Sequence, residues 1–144
     1  MAVKVLYTAH AVATGGRNGH TQSDDGIVNV NLSIPKVMGG PGRDAATTPE
    51  HLFAAGYAAC FGSACEFMSH QLRLIPKTIE VKSAVGIGLS EDGGFGLVVD
   101  LDVKVEGLSQ EDAEKVVAAG HGACPYSKAI KGNVDVTIKV VAIR

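Results

Sequence analysis

The chain contains three cysteines, Cys60, Cys65 and Cys124, which are its residues best suited to nucleophilic or redox chemistry. Cys60 and Cys65 are five positions apart, which on a helix corresponds to about 7.5 Å of rise and about 140° of rotation. Their side chains therefore point apart and cannot form a disulfide unless the helix unwinds. We interpret Cys65 as a structural residue of the core.

Cys124 lies in a different setting, because it directly precedes Pro125, a residue that suits the first position of a short helix. A thiol at the cap of a helix faces backbone amide donors, which lower its pKa. Cys60 and Cys124 lie on separate elements and could meet in space as a redox pair. The residues leave two alternatives open. The two cysteines could be unrelated and buried, or a metal could be bound by His121 and Cys124, with Cys60 as a possible third ligand, although His121-x-x-Cys124 is a single two-ligand fragment.

Cys60 lies in the middle of residues 47–74, the segment that the other elements must surround. Thr48 is a typical N-cap and Pro49 fits the first helical position, so the sequence predicts a helix that begins here and ends before Pro76. The segment is apolar nearly all round and rich in small residues, which predicts burial on most sides. It is slightly short for a membrane span and closely bracketed by charged residues, so we expect no membrane insertion. An inert cysteine in a structural core helix remains an alternative.

The other elements follow from hydrophobic periodicity. Alternating apolar residues predict strands over 3–8, 27–34, 79–89, 97–105 and 134–140, with a hairpin formed by 79–89 and 97–105. Polar, glycine-rich stretches over 14–25 and 38–46 predict loops. Ser109 begins a second helix that we expect Gly120 and Gly122 to break after about residue 119, and a short third helix begins at Pro125. This order has no regular βαβ alternation and predicts an α+β fold with a largely antiparallel sheet.

Length and composition limit the classes of function. A chain of 144 residues with 46% apolar and 19% charged residues is typical of a single globular domain, here residues 1–144. The net charge of −2 argues against nucleic-acid binding. Without an export signal we expect a cytoplasmic protein, in which three cysteines do not form a disulfide scaffold. One sheet can cover only one side of the central helix, so we expect a second copy of the chain to cover the other side in a two-fold dimer.

Two segments carry a family resemblance. TTPEHLFAAGYAACFGSA around Cys60 and HGACPYSKAIKGNVDV around Cys124 closely resemble the two signature segments of the organic hydroperoxide resistance (Ohr) proteins of the Ohr/OsmC family. The resemblance extends over both flanks and covers essentially the whole chain. It implies an OsmC-like intertwined homodimer with a long central helix and with active sites at the subunit interface.

The resemblance also implies an activity. Such proteins are thiol peroxidases of oxidative-stress defence that reduce organic hydroperoxides to alcohols and are re-reduced by lipoyl groups or similar dithiols, for which a lipoylated protein is the expected partner. Cys60 matches the peroxidatic position and Cys124 the resolving position. Arg17, in TGGR, matches the arginine that stabilises the thiolate, and Glu50 matches the carboxylate that holds this arginine. No bound cofactor and no metal are expected.

Physical chemistry explains why a reactive Cys60 needs both the positive charge of Arg17 and the negative charge of Glu50. A thiol in an apolar helix has a raised pKa, so a fixed cation such as Arg17 is needed to form the thiolate, and Glu50 supplies its counter-charge. Glu50 and Cys60 are ten positions apart, about 15 Å along an unbroken helix, so we expect Arg17 and Glu50 to reach Cys60 from the other subunit. Two rival functions remain at this point: a binding or sensor module with a cysteine switch, and a zinc-stabilised structural dimer.

Overall fold

The structure is a computed structural model that describes residues 2–144. It has α+β content, with three α-helices and two sheets among those residues. The chain divides into two compact units, one up to Leu52 and one from Phe53 onward. The single domain expected over residues 1–144 stays a prediction. Across residues 2–144, no helix is both long enough and apolar enough to traverse a bilayer.

The first unit contains a four-stranded sheet with strand order β1-β2-β3-β4. The strands are β1 Ala11–Thr14, β2 His20–Ser23, β3 Asn29–Leu32 and β4 Ala46–Thr47. β2 pairs antiparallel with both β1 and β3, and β4 pairs parallel with β3. Two short 3-10 turns, Gly16–Asn18 and Lys36–Met38, connect the strands.

Two predictions for the first unit are wrong. Residues 3–8 form no strand, and the alternating Val3, Val5 and Tyr7 are 78%, 66% and 84% exposed. Alternation stabilises a strand only where one face packs on something, and these side chains find no such surface within residues 2–144. The predicted loop 14–25 contains β2, a polar strand that the pairings with β1 and β3 hold in place.

The long helix α1, Pro49–Leu72, crosses the division between the units and confirms the central helix. At its start the backbone N–H of His51 donates to Oγ1 of Thr48 at 3.1 Å, so Thr48 is the N-cap that the sequence predicts. Past its end Arg73 has a left-handed backbone, with φ of 58°, which turns the chain away before Pro76.

The second unit contains a three-stranded sheet of β5 Thr78–Leu89, β6 Phe95–Glu106 and β7 Asp135–Ile143, with β6 in the middle. β5 and β6 form the predicted antiparallel hairpin, whereas β7 runs parallel to β6. A parallel neighbour needs a crossover connection. Here the crossover contains helices α2, Gln110–Ala123, and α3, Pro125–Ile130.

The core of the second unit lies between this sheet and the helices. Every second residue of β6 from Val99 to Val105 is buried, which confirms the predicted alternation. The buried residues of α1 that join this core are Tyr57, Phe61, Ala64 and Cys65. Another stripe of α1 is exposed in the single chain: Ala55, Ala59, Ser63 and Phe67. Burial of α1 on most sides is therefore not achieved within one chain, and its burial by a second copy stays a prediction.

Helix α2 begins as predicted but ends later. The Asp112 N–H donates to Oγ of Ser109, its N-cap, at 3.2 Å. The expected break after residue 119 is wrong, because the helix continues through Gly120 to Ala123. A Cβ placed on Gly120 would lie 2.4 Å from the sulfur of Cys65. Gly120 is thus a contact residue that lets α2 approach α1, and its missing side chain serves packing rather than helix termination.

Candidate active site

Arg17 and Glu50 form a bidentate ion pair in the first unit. Nη1 and Nη2 of Arg17 donate to Oε1 and Oε2 of Glu50 at 2.7 and 2.9 Å. Glu50 lies in the first turn of α1, where the helix dipole also favours a carboxylate. Two parallel charge-assisted bonds fix the plane of the guanidinium as well as its position. The structure therefore brings these two sequence-predicted residues together.

The turn that carries Arg17 depends on the glycines around it. Gly15 has φ of 82°, and a Cβ on Gly19 would lie 1.8 Å from the carbonyl oxygen of Thr14. Neither position tolerates an ordinary side chain, because the first is left-handed and the second is in contact with backbone. The side chain of Asn18 accepts a hydrogen bond from the Ile34 N–H at 2.9 Å and ties the turn down. The TGGRNGH stretch is thus a tight, anchored turn.

The ion pair shifts both pKa values in the direction that strengthens the charges. The hydrogen bond with Arg17 lowers the pKa of Glu50, and burial opposes this shift. The same hydrogen bond raises the pKa of Arg17. Both groups are therefore charged at neutral pH. The arginine side chain remains 37% exposed within the single chain, so it combines a fixed position with access to solvent.

Cys60 and Cys124 meet in the second unit. The Cys124 thiol donates to the sulfur of Cys60 across an Sγ–Sγ distance of 3.5 Å, and both are free thiols. Cys124 is fully buried and Cys60 is half-buried. Cys60 is on α1, whereas Cys124 is the single residue between α2 and α3. The alternative of two unrelated buried cysteines does not describe sulfurs in contact.

The helix amide that the sequence assigned to Cys124 acts on Cys60 instead. Within residues 2–144 the side chain of Cys124 makes no capping hydrogen bond to α3. Burial raises the pKa of the Cys60 thiol, a hydrogen bond from the backbone N–H of Tyr126 lowers it, and the Cys124 thiol raises it again. Cys124 is thus the N-cap residue of α3, as the sequence predicts, but the expected interaction of its thiol with the helix amides is wrong, because its sulfur points toward Cys60.

Cys65 is a core residue and does not belong to the Cys60–Cys124 pair. It is completely buried, its sulfur packs against Gly120, and burial raises its pKa to about 12. A thiol in this state is neither nucleophilic nor accessible. These observations support its interpretation as a core residue.

Sequence reasoning missed Tyr57, Tyr126 and Ser127 beside the cysteine pair and considered His121 only as a metal ligand. The ring of Tyr126 packs on Gly56, where a Cβ would lie 3.3 Å from the ring, and it is 6.0 Å from the ring of Tyr57. Tyr57 and His121 both hydrogen-bond to Ser127. The CPYS segment and the small-residue helix contained the signal, but only as neighbours of the cysteines. Within residues 2–144, no group of three or more His, Cys, Asp or Glu side chains is arranged to hold a metal ion.

Comparison with known proteins decides the family. A family model described as OsmC-like protein matches residues 40–139. An organic hydroperoxide resistance protein of Xanthomonas axonopodis pv. citri is 48% identical over 136 residues, which are 94% of each chain. The chain belongs to the Ohr/OsmC family.

Solved Ohr/OsmC structures agree with the fold. An organic hydroperoxide resistance protein from Elizabethkingia anophelis superposes with a TM-score of 0.90 at 43% identity, over 98% of this chain and 100% of that one. One from Legionella pneumophila gives 0.89 at 45% identity, over 95% and 98%. At these identities and coverages, the α+β architecture described above is the Ohr/OsmC fold.

Proposed function

We propose that this protein is a cysteine-based peroxidase that reduces organic hydroperoxides, including those of fatty acids, to alcohols in oxidative-stress defence. The observation that carries the proposal is the 3.5 Å approach of Cys60 and Cys124. It supports the proposal because it occurs in a chain whose relatives are named for organic hydroperoxide resistance. A half-buried thiol on α1 and a buried thiol between α2 and α3 are arranged as an attacking and a resolving pair would be.

The proposed reaction has two steps. The Cys60 thiolate attacks the distal oxygen of the hydroperoxide, the O–O bond breaks, and the alkoxide takes a proton and leaves as the alcohol. Cys60 becomes a sulfenic acid. The sulfur of Cys124 then bonds to that of Cys60, the S–O bond breaks, and the hydroxide leaves with the Cys124 proton as water. The resulting disulfide protects Cys60 from further oxidation.

Arg17 and Glu50 complete the proposed machinery. Burial raises the pKa of Cys60, so a cation must offset that shift before the thiolate forms at neutral pH. We assign this role to Arg17, held by Glu50, on the strength of the family resemblance. The bidentate bonds at 2.7 and 2.9 Å support the assignment because they hold the guanidinium ready. We keep the proposal that this pair serves Cys60 of the other subunit.

The remaining proposals concern partners. A dithiol of the lipoyl type, carried by a lipoylated protein, reopens the Cys60–Cys124 disulfide by thiol–disulfide exchange. The protein works as a homodimer in the cytoplasm without a bound cofactor or metal. The exposed stripe of Ala55, Ala59, Ser63 and Phe67 on α1 supports the dimer, because a second copy would bury it. Gel filtration with light scattering tests this, and a stable monomer at micromolar concentration would contradict it.

The activity test uses purified protein, cumene hydroperoxide and either dihydrolipoamide or glutathione as the competing reductant. We expect turnover with dihydrolipoamide, loss of turnover in Cys60→Ser, and turnover near wild type in Cys65→Ser. The second variant is the matched control, since it removes a thiol of the same helix that faces the core. Oxidation of Cys60 without turnover under either reductant would favour the sensor alternative instead.

A separate test addresses Arg17. The alkylation rate of Cys60 as a function of pH reports its thiolate fraction. We expect the midpoint of this profile to move to higher pH in Arg17→Ala and to move less in Arg17→Lys, which keeps the charge but loses the bidentate geometry. An unchanged midpoint in Arg17→Ala would remove Arg17 from the mechanism.

A further inference from the structure

Three polar side chains from three helices form a hydrogen-bonded chain in the second unit. The hydroxyl groups of Tyr57 on α1 and Ser127 on α3 are 2.5 Å apart, and Ser127 Oγ is 2.9 Å from Nδ1 of His121 on α2. Tyr57 is completely buried and Ser127 is 4% exposed. His121 and Ser127 also line an open cleft of about 360 Å³. The chain therefore runs from the core to a surface cleft.

Each residue of this hydrogen-bonded chain lies close in sequence to Cys60 or Cys124. Tyr57 is three residues before Cys60, while His121 and Ser127 are three residues before and three after Cys124. Residues three apart on a helix lie on the same side of it. Burial raises the pKa of Tyr57, the hydrogen bond with Ser127 lowers it, and the nearby Cys124 and Cys60 thiols raise it. Tyr57 and Cys124 belong to the same core cluster, and Cys60 packs against it.

The position of the Cys124 sulfur depends on how α2 and α3 are held, because Cys124 is the single residue that connects these helices. Its N–H donates to the Gly120 carbonyl at 2.8 Å, and its own carbonyl accepts from the Lys128 N–H at 3.0 Å. These bonds tie Cys124 to α2 and α3 but say nothing of how α3 is held against α1. α3 has six residues, too few to define its own position. The Tyr57–Ser127 bond is a direct polar link between α1 and α3.

Disulfide formation requires the two sulfurs to approach. Their separation must fall from 3.5 Å to about 2.05 Å. Hydroxyl groups keep a hydrogen bond through such a shift, because a serine or tyrosine O–H rotates to follow its partner. Ser127 has one proton, so it donates to one neighbour and accepts from the other. The donor and acceptor roles along the Tyr57–Ser127–His121 hydrogen bonds can therefore be exchanged without loss of either bond.

We infer that Tyr57, Ser127 and His121 are positioning residues for the resolving step: their hydrogen-bonded chain holds α3 so that the Cys124 sulfur reaches the oxidised Cys60. The inference rests on the proposed function. In that step the S–S bond forms, the S–O bond of the Cys60 sulfenic acid breaks, and water leaves with the Cys124 proton. The attack of Cys60 on the hydroperoxide does not need the chain.

The two steps can be separated in a single turnover. Full-length wild type, Tyr57→Phe, His121→Ala and His121→Asn are mixed with one equivalent of cumene hydroperoxide. Dimedone trapping measures the sulfenic acid, and mass spectrometry of unreduced peptides measures the disulfide. We expect sulfenic acid formation within about twofold of wild type in all variants. Disulfide closure should slow roughly tenfold in Tyr57→Phe and His121→Ala, as the loss of one buried hydrogen bond implies.

His121→Asn is the rescue control, because an asparagine amide occupies the place of Nδ1 and keeps the bond to Ser127. We expect its closure rate to stay near wild type. Closure at the wild-type rate in Tyr57→Phe, equal slowing of both steps, or His121→Asn as slow as His121→Ala would each overturn the inference alone. A wild type that forms no sulfenic acid would overturn the proposed function as well. Thermal melts verify folding, and if Tyr57→Phe does not fold, the histidine pair decides the outcome.

Discussion

Replacing Gly120 by alanine tests how tightly the two helices around Cys65 are packed. The new Cβ would lie 2.4 Å from the Cys65 sulfur and 2.9 and 3.0 Å from its Cα and nitrogen. Non-bonded carbons prefer separations of about 3.5–4.0 Å, so α2 must move away from α1 by roughly 1 Å. Overpacking of this kind costs about 1–3 kcal/mol, and the better helix propensity of alanine returns roughly 1 kcal/mol.

The net expectation for Gly120→Ala is a loss of up to about 2 kcal/mol in the free energy of unfolding. Thermal unfolding at one fixed protein concentration should show the midpoint lowered by up to roughly 8 °C. Gly122→Ala is the matched control on the same helix. Beyond its chain neighbours and the adjacent backbone of α2, a Cβ at Gly122 would meet nothing within 4 Å among residues 2–144, so it should leave the midpoint unchanged or raise it slightly.

Equal melting temperatures for Gly120→Ala and Gly122→Ala would refute the close contact. A double variant sharpens the test, because Cys65→Ala removes the sulfur that the new methyl group meets first. It should recover part of the loss caused by Gly120→Ala, whereas the contacts with the Cα and nitrogen of Cys65 remain. Purely additive effects would mean that the two side chains do not interact.

Three further results are expected. Iodoacetamide at pH 8 should modify Cys60 in the native protein and spare Cys65, whose pKa of about 12 leaves hardly any thiolate; peptide mapping checks this, and equal labelling would contradict it. In Cys124→Ser, excess hydroperoxide should drive Cys60 to the sulfinic acid, a gain of about 32 Da by mass spectrometry; protection from over-oxidation would mean that Cys124 is not the resolving residue. Arg17 lowers the pKa of Glu50, so the stability that wild type has over Glu50→Gln should be present above pH about 4.3 and vanish as the pH falls through the folded-state pKa. Because Arg17 is 37% exposed, this difference should be about 1 kcal/mol or less in urea unfolding, and a difference that grows on acidification would contradict the assignment.

The sequence predicted correctly the helices and strands that are determined by nearby residues, such as a helix cap or an alternating pattern. The caps Thr48 and Ser109 bind the helix amides that their positions in the sequence indicate. The hairpin of β5 and β6 follows from alternation because one of its faces is buried. β2 escaped prediction because the polar segment His20–Ser23 is made a strand by its neighbours and not by its own composition.

The site residues could be predicted where the family resemblance covers them. The contacts that depend on the three-dimensional arrangement of side chains could not. Arg17 alone in a polar loop is typical of a solvated charge, and its partner Glu50 is 33 residues away. The Tyr126 amide acts on Cys60 rather than on the adjacent Cys124 because the direction of one side chain selects the acceptor. Glycine is typical of helix ends, so the sequence places a break at Gly120. Only the close approach of the Cys65 sulfur explains why a glycine lies inside α2.

The parallel pairing of β7 with β6 has a consequence for biosynthesis. β7 follows β6 only after helices α2 and α3, so the nascent hairpin of β5 and β6 lacks this neighbour until Asp135–Ile143 has left the ribosome. Until then the hydrogen-bonding groups along one side of β6 are unpaired, beside the apolar Val99, Leu101 and Val103. Such an open edge invites pairing with strands of other chains. A chain truncated before Asp135 should therefore aggregate rather than persist as a partly folded monomer.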